Sequence, residues 1–539
     1  MSGKKSPTLS TLPIELVYRI LDYLQPYEIM ISAHNVCARL NSIVDTYQPY
    51  QTLHNLNLQH YSLSKQAALY FVNALKFNRT LHTLRLWRID LGVQGAKYLA
   101  ESLKIHPTLN TLQLCSNNLG AEGTKSLINA LKFNQTLTTL RLSENSICAE
   151  EAKDLADVLI SNQTINTLEL YYTNLGTVGC KYLADGLKVN RVITNLELSI
   201  NGIAAEGAKY LADALKVNQT LNSLQLYSNK VDALGAKYLA DSLKINATLN
   251  TLKLLCNSLG AEGVKYLADA LKVNRALTNL ELGSNGLGAD GAKYLSDALI
   301  NNHTLNTLSL NCNNIGDKGA KHLADALISN RALKTLKLDE NGIRTEGTQY
   351  LADSLMSNLT LTSLEIGLNH LGPEAVKYLS DALKINRTLH ALNLYNSSIG
   401  AQGAQALADA LKVNQTLNTL NLKRNSLGTE EIRYLADALK INRTLESLDL
   451  NDNRIGAQGA KYLAEALISN RILISLELEM NHIGVEGAKH LADALKVNQT
   501  LNNLNLRSNG LGVEGVKYLA DALIGRKFCT IKCESWTNV

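Results

Sequence analysis

The chain repeats itself every 28 residues, and that repeat constrains its fold more than any other feature. Leu56-Asn-Leu58 returns as Leu84-Arg-Leu86, as Leu112-Gln-Leu114 and finally as Leu504-Asn-Leu506, with no insertion in between. This gives 17 copies, and 33 of the 34 residues at the two leucine positions are Leu, the exception being Ile366.

Each copy reads as a strand, a turn and a helix. Leu81 to Leu86 runs Leu-x-x-Leu-x-Leu, which sets alternate side chains on one face with the period of a strand. Three residues after the last leucine stands an Asn, in 13 copies, with Tyr61, Ile89, Thr173 and Ser397 as the departures. Its amide is suited to bonding the backbone of adjacent turns. A helix such as Ala96–Leu103 follows, with Leu99 and Leu103 one turn apart on a single face. It closes at an Asn such as Asn218, a residue that tolerates the left-handed cap conformation. One copy cannot fold alone, because six leucines do not offset the entropy of ordering 28 backbones. Stacking must bury both sides of each leucine layer and pair the strands into one parallel sheet.

This pattern resembles the leucine-rich repeat in its longer, ribonuclease-inhibitor-like form, over about 470 residues. The resemblance implies an α/β fold, a curved solenoid with the parallel sheet inside and helices outside. After it, Phe528-x-x-Ile531-x-Cys533 keeps the leucine spacing one residue out of register, so residues 525–539 read as a C-terminal cap covered by Phe528 and Trp536. Cys529 and Cys533 invite a metal reading. Cys533 occupies a core-leucine slot, however, and a buried thiol is the better account.

Nothing before about Thr52 follows the period. Pro13 can open a helix, and Ile14, Val17, Ile20, Leu21 and Leu24 have helical spacing. Gln25-Pro26 breaks it, and two short helices are expected over residues 27–35 and 36–44. Leu12, Pro13, Glu15, Ile20, Tyr23, Leu24, Pro26, Val36 and Cys37 keep the order and spacing of an F-box, which the segment resembles; Arg39 also fits. Leu40 stands where that family often has Trp, and Tyr27-Glu28-Ile29 replaces its usual acidic-Leu step. The expected division is a disordered tail at 1–11, an F-box-like helical module at 12–50, 17 repeats at 53–524, and the cap at 525–539. The competing account makes the N-terminal helices merely a cap on the first repeat.

Composition narrows the chemistry. Lys and Arg number 53 against 48 Asp and Glu, too even for a polybasic footprint. No apolar run is long enough to span a bilayer, and Met1 to Leu12 lacks the apolar stretch of a secretory signal. Eight sparse cysteines suit a reducing compartment, so a cytoplasmic or nuclear protein is expected. There is no P-loop, HExxH or GxSxG, and Gly3-Lys4-Lys5-Ser6 lacks the upstream glycine. His322 and His490 replace a recurrent helix Tyr and read as packing variants. Asn-x-Thr triplets at Asn78, Asn134, Asn162 and Asn218 read as helix ends rather than glycosylation acceptors. No catalytic residues, metal site or cofactor are expected.

The informative residues are those the repeat leaves open. Arg85, Trp87 and Arg88 stand between and after the strand leucines, and their equivalents change at nearly every step. Over these slots eleven acidic residues outnumber eight basic ones, while the whole chain is +5, with lysines such as Lys97 and Lys104 on the helices. An acidic-leaning face is a poor phosphate cradle, so a protein partner is expected and neither nucleic acid nor membrane. Trp87, Tyr171, Tyr172 and Tyr227 are the candidate anchors, and Asp339, Glu340, Lys423 and Arg424 the charged specificity elements. The resemblances together imply a non-enzymatic adaptor, monomeric apart from its complex. Leu12, Pro13, Ile20, Leu24 and Val36 would dock on the Skp-type adaptor of a cullin ubiquitin ligase. The alternative is a free-standing scaffold or inhibitor. A regulator of Ran-like GTPases would carry an acidic tail, and the chain ends Cys-Glu-Ser-Trp-Thr-Asn-Val.

Overall fold

The computed structural model describes residues 14, 17, 53–59, 72, 75–76, 78–524 and 529–533. Of the N-terminal segment, Ile14 and Val17 are both helical, Val17 fully buried and Ile14 exposed. Leu12, Pro13, Ile20, Leu24 and Val36 lie outside the described residues, as do Phe528 and Trp536.

The chain divides into two units, Met1–Asn257 and Ser258–Val539. Among the described residues the first holds eight strands and six helices. Its strands Asn55–Gln59 and Thr83–Trp87 are the longest, and the rest, such as Thr111–Gln113, are three residues long. All pair in parallel at the repeat period, Leu84 with Leu112 and Leu196 with Leu224. The second unit holds ten strands and ten helices, again parallel at 28 residues, as Leu308 with Leu336. The last strand, Thr530–Lys532, breaks the period by one and pairs Leu504 with Ile531, the register its leucine-like spacing anticipates. Cys533, expected to be a buried thiol, is only half-buried.

In each unit the strands make one face and the helices the other. Neighbouring strands sit about 4.8 Å apart whereas packed helices need about 8–10 Å, so within a unit the strand face is the narrower, concave one. Strands are shorter than the six-residue leucine motif. The hydrogen-bond ladder nevertheless continues past them, Leu114 N–H donating to Arg141 O at 2.9 Å and Ser116 N–H to Ser143 O at 3.1 Å. Between the layers lies the leucine core; Leu84, Leu86, Leu308 and Leu310 are all fully buried.

Two asparagine ladders hold the turns. In the first, Asn117 Nδ2 donates to Leu86 O of the preceding repeat at 2.6 Å, and Asn117 N–H donates to Asn145 Oδ1 of the next at 3.1 Å. The same rungs recur in the second unit at Asn313 and Asn341. Thr173 fills the slot with its hydroxyl donating to Leu170 O at 3.1 Å, and Ile89 fills it by burial alone.

The second ladder corrects an expectation. The helix-ending asparagines are not left-handed: Asn162 has φ −80° and ψ 128°, and Asn190 φ −57° and ψ 138°. Their extended backbone turns the amide inward. Asn218 Nδ2 donates to Leu187 O at 2.9 Å, while its Oδ1 accepts from Thr220 N–H at 3.0 Å and Leu221 N–H at 2.8 Å. Asn78, Asn134, Asn162 and Asn218 are therefore buried, and their side-chain oxygens accept backbone N–H groups of the turn that follows. The recurrent helix Lys-Tyr pair is also framework. Lys181 lies 5.9 Å from the ring of Tyr210 one repeat on, and Lys321 5.2 Å from that of Tyr350.

Candidate functional site

The last core residue of each leucine motif, here Leu86, anchors the chain in the core and throws the next two residues onto the strand face. The second of these, the Arg88 slot, is left-handed in every described copy, seven in the first unit and nine in the second, with φ between 49° and 58°. Left-handed backbone is unfavourable for any residue with a Cβ, by about 1–2 kcal/mol, and glycine would relieve it. Glycine occupies none of these sixteen positions. Four residues on, the same backbone demand is met by glycine in most copies, as at Gly92, Gly120 and Gly176. The Arg88 slot instead holds Arg88, Glu144, Tyr172, Glu340, Arg424 and Met480 among others. Side chains are thus kept on this face against a backbone cost.

In the first unit the face closes into a cavity of about 300 Å³ lined by Trp87, Gln113, Cys115, Ser143, Glu144, Glu169, Tyr171 and Glu197. Two anchors from the sequence, Trp87 and Tyr171, are brought to this one cavity. Arg88 lies 5.3 Å from the Trp87 ring and 3.8 Å from Glu144. Arg141 pairs with Glu169 at 3.1 Å. Burial pushes the Glu169 carboxyl above the usual carboxylate range, and Arg141 opposes the shift. Glu197 is raised too, by burial first, although Ser199 N–H donates to it at 2.7 Å. Aromatic walls over partly desolvated carboxylates suit a cationic side chain, held by ring faces and neutralised from below. Tyr172 leans on Tyr171, ring centroids 6.4 Å apart, but stands exposed beside the cavity. Tyr227 is also exposed and does not line it; its N–H donates to Ser199 Oγ at 3.0 Å.

In the second unit the four charged candidates separate. Asp339 is half-buried and ties neighbouring strands, its carboxylate accepting from Gly367 N–H at 2.7 Å, so it is a framework rung as well as a charge. Burial first, then the charge of Glu365, pushes its carboxyl up to about 6. Glu340 is exposed, accepting from the Cys312 thiol at 3.2 Å. Lys423 is half-buried and its N–H donates to Asn421 Oδ1 at 2.9 Å. Arg424 lines a cavity of about 360 Å³ together with Asn396, Ser426, Asp452, Asn453, Arg454, Met480, His482 and Ser508. It bonds Asp452 and donates to Tyr395 Oη at 3.0 Å, joining three repeats. Arg454 and His482 went unnoticed in the sequence, whereas Met480 stands in the Arg88 slot already read as variable. Arg454 and His482 sit two residues beyond the slots read as variable, past the ladder asparagines Asn453 and Asn481, at the turn into the helix.

Among the described residues no helix is long and apolar enough to cross a membrane. No curated protein matches the sequence. A family model described as leucine rich repeat matches ten segments, residues 189–212, 217–240, 246–268, 273–296, 301–324, 357–380, 386–408, 442–464, 469–492 and 497–520. The fold is that of a protein-binding scaffold, with unlike side chains presented from a uniform frame. With strands, asparagine rungs and helices all on the period of those matched segments, the chain carries leucine-rich repeats and has the leucine-rich repeat fold.

Proposed function

We propose that this protein is the substrate-recognition adaptor of a Skp–cullin–F-box-type ubiquitin ligase, holding a protein substrate on the strand face. The observation that carries the binding half is the left-handed slot after each strand, sixteen times filled by a residue other than glycine. Drift alone would have let glycine into so strained a position. The Trp87–Tyr171 cavity is the strongest anchor on the face, and its carboxylates favour a Lys or Arg side chain of the substrate. The docking half rests on the F-box-like order of Leu12, Pro13, Ile20, Leu24 and Val36. The chain contributes no catalysis; ubiquitin transfer belongs to partner subunits.

Co-expression of the full chain with a Skp-type adaptor, followed by gel filtration, tests this. A complex with the parent and none with a Pro13→Ala, Ile20→Asp double variant whose repeats stay folded is the expected result. Failure of the parent to bind would assign residues 12–50 to capping and leave a free-standing repeat binder.

A further inference from the structure

The helix ends carry a second surface, unrelated to the strand face. Each described helix closes with one exposed apolar side chain, and in the second unit there are ten, from Val273 to Ile524, between 37% and 80% exposed. In half of these copies the residue follows a lysine, as in Lys384-Ile385, Lys412-Val413 and Lys440-Ile441. Where that position turns polar, the lysine itself is replaced by an apolar residue, as in Ile300-Asn301 and Ile328-Ser329. The exposed apolar side chain moves by one position but is never lost. Packing does not require it, since these side chains point into solvent, and drift on a helix surface would have replaced many with polar residues.

We propose that this stripe of the second unit is a self-association surface whose occupant is a second copy of the chain, lying antiparallel along it. Three observations favour that occupant. The stripe has one knob per repeat over ten consecutive repeats, and a partner must match that step to cover it; an identical stripe does so by a two-fold axis. The rim is of mixed sign and self-complementary, because the lysines pair with aspartates of their own helix, Lys412 with Asp409 at 2.8 Å and Lys440 with Asp437 at 2.9 Å. An antiparallel copy sets such pairs against each other. The area also suffices. Half-exposed aliphatics offer roughly 50 Å² apiece, on the order of 1,000 Å² for two stripes of ten, the size at which specific interfaces begin. The pairing leaves both strand faces open, so it stands or falls independently of the ligase reading.

Sedimentation equilibrium of the full chain tests it, beside a variant carrying Ile385→Glu, Val413→Glu and Ile441→Glu. The parent is expected at twice the 58.9 kDa chain mass and the variant at the chain mass, with unchanged circular dichroism. Hydrogen exchange on the parent gives a second readout that needs no variant: protection at residues 384–386 and 412–414 should rise with protein concentration. A parent that stays at the chain mass up to its solubility limit overturns the proposal. So does a dimer that the substitutions leave intact, or one whose helix ends gain no protection. Stripe-dependent pelleting of a monomeric parent with phosphatidylserine vesicles would also overturn it and assign the stripe to lipid.

Discussion

The carboxylate of Asp339 accepts the backbone N–H of Gly367, one repeat on, at 2.7 Å. Neutral side chains make the same bond elsewhere on the strand face. Ser143 Oγ accepts from Tyr171 N–H at 3.2 Å, Ser199 Oγ from Tyr227 N–H at 3.0 Å, and Asn451 Oδ1 from Glu479 N–H at 2.6 Å. A charge is therefore unnecessary for the rung. Asp339 carries one half-buried and near Glu365, which raises its carboxyl to about 6.

The sign of the pH effect follows. Between its ordinary value of 3.8 and about 6 the folded chain binds more protons at Asp339 than the unfolded chain does. Stability at this site thus falls as pH rises through that window, and the full penalty stands above it. Asp339→Asn keeps the acceptor and removes the charge. It should stabilise the second unit at pH 7.5 by about 1–2 kcal/mol, after allowing for the water that still screens a half-buried group, and by almost nothing at pH 3.5. Urea midpoints at the two pH values decide it, and an equal gain at both would refute the electrostatic account.

His106 offers the opposite sign. It occupies a helix-end slot where other copies have Asn, and it is buried. Its Nδ1 accepts from Leu109 N–H at 3.2 Å, which leaves the proton on Nε2, buried with no partner among the described residues. Burial first, then Arg79 and His82, depress it to about 4. The unfolded chain binds the extra proton between about 4 and 6.5, so stability here rises with pH across that window and is complete above it. His106→Asn supplies an amide that can donate to the preceding repeat as Asn134 does to Leu103 O at 2.8 Å. The expected result is a stability gain of about 1–3 kcal/mol at pH 7, from the donor now satisfied, and a larger one at pH 5. Thermal melts at both pH values measure it; a variant no more stable at pH 5 than the parent would count against the assignment.

Asn341 tests the first ladder. Its amide donates to Leu310 O at 2.9 Å and Leu338 O at 3.0 Å and accepts from Asn313 N–H at 2.9 Å. Asn341→Ala strands these groups out of reach of water and should cost about 3 kcal/mol or more. Repeat arrays respond to such damage locally. Hydrogen exchange should accelerate over residues 310–345 while the strands beyond Leu420 keep their protection, and uniform acceleration across the unit would argue for a single cooperative block.

How much of this was legible in the sequence differs by level. The repeat layers, the parallel register and the first asparagine rung follow from leucine and Asn spacing, because each slot sees the same surroundings 28 residues later. The helix-end asparagines were visible as residues but not as extended, inward-facing rungs, since the choice of conformation depends on a carbonyl in the neighbouring repeat. The cavity was half legible. Trp87 and Tyr171 stood out as unlike residues, but Glu144, Glu169 and Glu197 entered only as a charge count. Their convergence needs the strands side by side. Asp339 looked like a free charge because nothing in its slot betrays the bond to Gly367. The left-handed slot did carry a signal that went unread, the absence of glycine from one position in copy after copy.

The Trp87 cavity yields the last prediction. Trp87 and Tyr171 supply ring faces, and Glu169 and Glu197 supply carboxylates that burial has raised. A cationic side chain entering between them would favour their ionised forms, so affinity should strengthen as pH climbs above the ordinary carboxylate range and then level off. Trp87→Ala removes the largest wall and should weaken the partner about 10–30-fold, in the range of an interface hot spot. Glu197→Gln keeps shape and hydrogen bonding but drops charge, so it should lose affinity by a smaller factor and flatten the pH profile. Tyr227→Ala, outside the cavity, should change little if this cavity is the anchor. Calorimetric titration of a Lys- or Arg-bearing peptide from the partner against these variants, at pH 5 and 7.5, distinguishes a charge-reading cavity from an apolar one. If Trp87→Ala weakens binding while Glu197→Gln and pH do nothing, the aromatic walls bind an uncharged side chain and the carboxylates are framework.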